Sequence, residues 1–156
     1  MLSQAVKDEL RGIVGEECYF DNPEDLLLYS YDAFMVPGLP EAAMLPVSTE
    51  EVSRIMKVAS RERIPVTARG AGTNLAGGSV PTRGGIVLVF TKMNKILEIS
   101  KENRIAVLQP GVINMEFQKE LTKQGLYYPP DPGSMAVSTI GGNVAENAGG
   151  PRAVKY

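Results

Sequence analysis

The chain has 156 residues, a net charge of −2, 44% hydrophobic residues and 22% charged residues, the make-up of an ordinary globular domain rather than a disordered tail. The acidic balance argues against a nucleic-acid partner. No apolar run approaches the ~18 residues of a membrane span, and the N-terminal MLSQAVKDEL lacks the apolar centre of a secretion signal.

Leu2, Val6, Leu10 and Ile13 recur at helical spacing, so residues 2–14 are expected as an amphipathic helix stopped near Gly15. Asn22 and Pro23 supply an N-cap and a first-turn proline for a short helix carrying Leu26, Leu27 and Leu28. Segment 33–46 is broken by prolines and reads as a loop leading into a short strand near 43–45. Ser48 and Glu51 fit a capping box, with Val52, Ile55, Met56 and Ala59 along one face of a helix over 49–62. The β-branched stretch 64–68 then reads as a strand, parallel to the earlier one across a βαβ unit.

Residues 69–85 are too rich in glycine for a long element. The continuous apolar run 86–90 fits a strand buried on both faces. Segments 95–99 and 104–108 are expected as a hairpin. Asn114 is expected to cap a helix through Lys123, with Phe117 and Leu121 inward and Gly125 as its stop. Residues 126–128 read as a short strand, followed by a second loop from Pro129 to Gly133. Ser138 or Thr139 then caps a helix over 141–147, although two glycines in a first turn are poor helix formers. The methionines, Met35 among them, are scattered and read as gap fillers.

Thirteen of the 16 glycines lie after residue 66, mainly in two loops, and it is there that chemistry is expected. The single cysteine, Cys18, excludes an internal disulfide and points to a reducing, cytoplasmic setting. The chain has no histidine, which removes a Ser-His-Asp triad, a histidine metal site and a histidine base; no metal site is expected.

The first loop, Arg69-Gly70-Ala71-Gly72-Thr73-Asn74-Leu75-Ala76-Gly77-Gly78-Ser79, follows an expected strand. Glycines let the backbone approach a ligand, and successive amides form an anion-binding concavity. Arg69, Thr73, Asn74 and Ser79 add side-chain donors, an inventory that suits a pyrophosphate. Two phosphate motifs fail here. G-x-G-x-x-G fits Gly70 and Gly72 but meets Leu75 at its third glycine; the NTPase loop fits Gly72, Gly77 and Ser79 but has Gly78 in place of its lysine. ATP or GTP hydrolysis is thereby disfavoured. A plain surface loop stands as the alternative, and Arg69 has two candidate partners, a phosphate or a carboxylate near the strand end.

In the second loop, Ser138-Thr139-Ile140-Gly141-Gly142-Asn143 opens a short helix whose free amides are expected to face an anion. Gly141 and Gly142 leave room for a phosphate or ring, with close helix packing by small residues as the alternative. Asp131 reads as a turn residue, and Tyr127 and Tyr128 as core or rim. Asn143 and Asn147 either touch a ligand or tie the loop. Together the loops point to one extended anionic ligand.

These residues carry a resemblance. RGAGTNLAGGS at 69–79 and DPGSMAVSTIGGNVAENAGGPRAVKY at 131–156 resemble the FAD-binding domain of the vanillyl-alcohol oxidase / p-cresol methylhydroxylase superfamily. Within it they look like the FAD subunit of glycolate oxidase and the D-lactate dehydrogenases, over roughly 45–156. The resemblance implies an α+β fold of mixed sheets with flanking helices. Residues 1–45 would form the lead-in and 46–156 the FAD-binding domain, incomplete at its C-terminal end and without a substrate domain. It implies FAD contacts from Arg69, Gly70, Ala71, Gly72, Thr73 and Asn74 around the pyrophosphate. Pro132, Gly133, Ser138, Thr139, Gly141, Gly142 and Asn143 would approach the pyrophosphate and flavin.

The implied reaction oxidises a 2-hydroxy acid to a 2-oxo acid and passes electrons to a separate acceptor, for example an iron-sulfur subunit; FAD carries the redox chemistry. Some relatives attach FAD through histidine or cysteine. With no histidine, and Cys18 outside both loops, non-covalent FAD is expected here. No catalytic residue is assigned, and an FAD-binding fragment without activity of its own is the alternative. An incomplete sheet would expose apolar surface, so self-association is also expected.

Overall fold

The computed structural model describes residues 1–33 and 37–156; the part of the expected proline-broken loop at 34–36, Met35 included, falls outside the described residues. The chain divides into two units, Met1–Lys92 and Met93–Tyr156.

The first unit begins with helix α1, Gln4–Val14, started by the Ser3 hydroxyl accepting from the Val6 amide and stopped at Gly15, whose φ is +84°. A short turn leads to β1, Tyr19–Phe20. Helix α2, Pro23–Leu27, has Asn22 as its N-cap and a proline in its first turn. After β2, Ala42–Met44, comes α3, Thr49–Glu62. There the Ser48 hydroxyl accepts from the Glu51 amide at 3.1 Å, and the Glu51 carboxylate reaches back to the Val47 amide at 2.8 Å. Strands β3, Val66–Arg69, and β4, Ile86–Val89, complete a sheet in the order β1-β2-β4-β3.

β1 runs antiparallel to β2, and β2, β4 and β3 run parallel. The expected βαβ unit is therefore parallel, but its two strands are not neighbours. β4 enters between them, because its four residues Ile86, Val87, Leu88 and Val89 are all apolar and all buried. A central position covers both faces, which suits a strand with no polar side to show.

Alternation sorts this sheet. Ala42, Met44, Ile86 and Leu88 face a core shared with Val6, Leu10 and Ile13 of α1 and Ile55, Val58 and Ala59 of α3. Ala43, Val87 and Val89 pack on the other side with Leu26 of α2. Each aliphatic side chain so buried contributes about 1.5–3 kcal/mol. Gly85 sets the entry to β4: its φ is +71°, and a Cβ there would strike the Pro65 carbonyl, which accepts the Ile86 amide at 2.9 Å.

The second unit opens with the expected hairpin, β5, Ile96–Ser100, and β6, Ile105–Leu108, with a register shift between Ile96 and Glu98. Helix α4, Asn114–Lys123, places Phe117 and Leu121 with Val112 in a core that also takes Ile96, Ile99, Ala106, Leu108 and Tyr128. Two expectations are corrected. Asn114 is not the N-cap: Ile113 holds that position, and Asn114 is the first helical residue, fully buried, with its side chain turned to other work. Residues 126–128 pair with no strand among the described residues; Leu126 and Tyr128 pack on the core as irregular chain. Helix α5, Ile140–Ala145, is capped by Thr139, one of the two residues expected for that role.

Candidate cofactor-binding loops

The first loop leaves β3 at Arg69, whose side chain turns inward. The residue is 8% exposed. Its guanidinium donates to the carbonyls of Tyr31 at 2.8 Å and Leu28 at 3.4 Å, and to the carbonyl and hydroxyl of Ser79 at 3.4 Å. Burial pushes its pKa below the ordinary guanidinium value. Gly72 has a φ of +70°, and a Cβ there would collide with this same guanidinium, so glycine is required twice over.

Asn74 is held as firmly. Its amide nitrogen donates to the Asp32 carboxylate at 3.1 Å, its amide oxygen accepts from the Ser79 hydroxyl at 2.5 Å, and its carbonyl accepts from the Ala33 amide at 3.1 Å. The side chains of Arg69, Asn74 and Ser79, expected as ligand donors, are thus already bonded within the chain. The backbone is different. The amides of Ala71, Gly72, Thr73, Asn74, Leu75 and Ala76 donate to no acceptor among the described residues, and none of these six residues is buried. A run of unpaired amides in a glycine turn is an anion concavity. Gly70 lies at its start.

The second loop is tied from α4. The Asn114 amide group donates to the Pro130 carbonyl at 3.2 Å, and Gln118 donates to the same carbonyl at 2.9 Å and to the Asn114 side-chain oxygen at 2.6 Å. The Asp131 carboxylate takes the Arg152 amide at 3.0 Å and pairs with its guanidinium at 3.2 Å. Pro132 accepts the Met135 amide at 2.8 Å, closing a turn over Gly133, where a Cβ would meet open space.

The start of α5 departs from expectation. Its amides are not free: Ile140 donates to the Val112 carbonyl and Gly141 to the Pro110 carbonyl, both at 2.8 Å, and Gly142 donates to the Thr139 hydroxyl at 3.2 Å. Gly141 answers the puzzle of a glycine in a first turn, since a Cβ there would lie 2.6 Å from the Pro110 Cβ. Gly142 would meet only its own cap hydroxyl, at 3.1 Å. What the second loop leaves unsatisfied is side chain rather than backbone. The Ser138 hydroxyl and the Asn143 amide nitrogen are buried and have no partner among the described residues, on residues only 3% and 6% exposed. Buried polar atoms without partners are uncommon, and each calls for an explanation of its own.

The structure therefore gathers Arg69–Asn74 within one unit and Pro132–Asn143 within the other. Sequence reasoning missed Asp32, 1% exposed, which binds both Asn74 and the Gly77 amide. It also missed Asn114 and Gln118 as the fasteners of the second loop. Nothing in their local patterns distinguishes these three from ordinary surface polar residues, since their partners lie far along the chain or across a turn.

An α+β unit whose glycine loop leaves six amides unpaired among the described residues has the make-up of proteins that hold an anionic cofactor. The chain belongs to the FAD binding domain family, whose model matches residues 40–156. It is 48% identical over its whole length to a glycolate oxidase subunit of Bacillus subtilis, covering 33% of that protein, and 45% identical over 94% of its length to a D-lactate dehydrogenase of Anaerostipes hadrus, covering 30%. The chain spans about a third of the length of these curated relatives. Among solved structures, alkyldihydroxyacetonephosphate synthase superposes with a TM-score of 0.89 at 25% identity, over 100% of this chain and 31% of that one. A p-cresol methylhydroxylase with substrate bound superposes with a TM-score of 0.80 at 23% identity, over 94% and 30%, and shows the fold alone. Among the described residues no helix is long and apolar enough to cross a membrane.

Proposed function

We propose that this chain is the cofactor-holding part of an FAD-dependent enzyme that oxidises a 2-hydroxy acid of the glycolate or D-lactate type to the 2-oxo acid. Residues 1–45 serve as its lead-in and 46–156 as the FAD-binding part. The observation that carries the reading is the run of six amides from Ala71 to Ala76, in a glycine loop, that have no partner among the described residues, with the similarity to a glycolate oxidase subunit and a D-lactate dehydrogenase as its support.

The chain's residues divide the work. The amides of 71–76 compensate the negative charge of the pyrophosphate, and Gly70 and Gly72 let the backbone come close. Arg69 and Asn74 hold the loop in shape from behind it. Ser138 and Asn143 supply a hydroxyl and an amide to polar atoms of the cofactor, while Thr139, Gly141, Gly142, Pro132 and Gly133 set the backbone that presents them. Bound FAD supplies the two-electron redox chemistry. Non-covalent attachment agrees with this chain's own residues: it has no histidine, and its single cysteine, Cys18, is buried and accepts a hydrogen bond from Lys92 at 3.1 Å. The hydroxy acid and the electron acceptor, an iron-sulfur subunit in one form of the reading, engage the parts of the relatives' length that this chain does not span.

The test is made on the full-length protein. Purified material is expected to carry flavin absorbance, to release all of it as free FAD on acid precipitation, and to be bleached anaerobically by glycolate or D-lactate. A protein that neither retains nor takes up FAD overturns the reading. Flavin that stays with the precipitate overturns non-covalent binding.

A further inference from the structure

The buried carboxylate of Asp32 has no role in the reading above, yet it is among the least exposed polar groups of the molecule, at 1%. It lies in the segment just before the expected proline-broken loop, far in sequence from the glycine loop. Its Oδ2 atom accepts from two points of that loop: the Asn74 side-chain nitrogen at 3.1 Å and the Gly77 main-chain amide at 2.8 Å. The neighbouring Ala33 amide adds a third tie, to the Asn74 carbonyl at 3.1 Å. Asn74 in turn accepts from Ser79, and Ser79 accepts from Arg69, which also grips the Tyr31 and Leu28 carbonyls.

The bonds close into a ring through the Tyr31–Asp32 peptide, with Arg69 holding the Tyr31 carbonyl and Asp32 holding the loop at Asn74 and Gly77. Gly77 has a φ of +75°, a conformation that glycine takes freely but does not hold by itself. A bond from its amide to a buried acceptor supplies the missing constraint. The stretch between the two anchors, Asn74 and Gly77, includes Leu75 and Ala76, and the stretch before it runs back to Arg69. These spans contain the six unpaired amides.

We propose that Asp32 is a positioning residue of the cofactor site: its carboxylate holds the 70–79 loop in the one shape that keeps six consecutive amides free for a diphosphate. The proposal rests on the FAD reading. A buried carboxylate beside an anion site is otherwise unfavourable, since like charges repel. It is tolerated here because two N–H donors neutralise it from the loop side and the Arg69 guanidinium adds its field.

The experiment titrates FAD into the full-length apoprotein of wild type, Asp32→Leu and Asp32→Asn, and records the phosphorus NMR shifts of the bound diphosphate at saturation. Leucine removes the acceptor, and FAD affinity is expected to fall about tenfold or more, the equivalent of one buried polar group left unpaired. The bound phosphorus resonances move toward those of free FAD. Asparagine keeps an acceptor oxygen and is expected to fall between leucine and wild type in both measurements. Should the leucine variant not fold, the asparagine variant decides alone, with weaker FAD binding and shifted resonances expected. Wild-type affinity in the folded variants overturns the proposal. So does weaker binding with unshifted resonances, which marks a general loss of stability. A wild type that binds no FAD overturns the FAD reading itself, an outcome distinct from either.

Discussion

The two units bury apolar surface in opposite ways. In the first, a four-stranded sheet is covered on both faces, and its central strand β4 has no exposed residue. In the second, a two-stranded hairpin packs one face on α4, while Leu97, Ile105 and Val107 stay 59%, 60% and 45% exposed. Beside that hairpin lies a cavity of about 760 Å³ lined by Ile99, Ala106, Leu108, Phe117, Leu121 and Tyr128, among others. The two loops are fastened alike at their base, the first by buried Arg69 and Asp32 and the second by buried Asn114 with Gln118. The second carries an exposed ion pair as well, Arg152 with Asp131.

The difference is sharpest in the cores. Ile86→Ala in β4 is expected to cost about 3–4 kcal/mol in denaturant unfolding, whereas Leu121→Ala, beside the cavity, costs about 2 kcal/mol or less because its surroundings can relax. Equal losses would show the two cores to be equally unable to relax. The loop anchors come next. Arg69→Met leaves several carbonyls without their donor and is expected to destabilise by about 2–3 kcal/mol, with Arg69→Lys failing to restore it because an ammonium cannot span those acceptors. Arg152→Ala is expected to cost about 0.5 kcal/mol, the usual worth of an exposed ion pair.

Within the second loop, Gly141→Ala drives a Cβ into Pro110 and is expected to lower stability by about 1–2 kcal/mol. Gly142→Ala stays within about 0.5 kcal/mol of wild type, its tight contact with Thr139 offset by better helix propensity. FAD binding lost in the Gly142 variant alone assigns that glycine to the ligand rather than to packing.

The smallest effect is a pH slope. Burial, helped by the Asp21 charge, pushes the Tyr19 hydroxyl from 10.0 up to about 12, and that hydroxyl has no partner among the described residues. Between those two values the unfolded chain has lost the proton and the folded one keeps it. Stability is therefore full below about pH 10 and declines as pH rises toward 12. Thermal unfolding across that window should show the decline in wild type and a shallower one in Tyr19→Phe, since burial also raises Tyr29 and Tyr128.

Much of this architecture was legible in the residues. The caps at Ser48, Asn22 and Thr139, the hairpin and the apolar strand at 86–90 all follow from local rules of hydrogen bonding and alternation, and those rules act within a few residues. The misreadings share one cause. Asn114 has the right chemistry for a cap, but the Pro130 carbonyl sixteen residues away makes a better partner for a fully buried amide. The same reach acts on Arg69 and Asn74, whose side chains bond to segment 28–33. The amides at the start of α5 look free in sequence and are taken by Val112, Pro110 and Thr139.

Where backbone can approach a ligand is written locally, because glycine content and turn chemistry act within a few residues and the family motif is a contiguous string. Which donors remain for that ligand was decided only by tertiary structure. A side chain bonds whatever the fold brings within about 3 Å. In this fold, partners distant along the chain took the side chains of Arg69 and Asn74, and left the first loop's amides, with the Ser138 hydroxyl and Asn143 amide nitrogen in the second, without partners among the described residues.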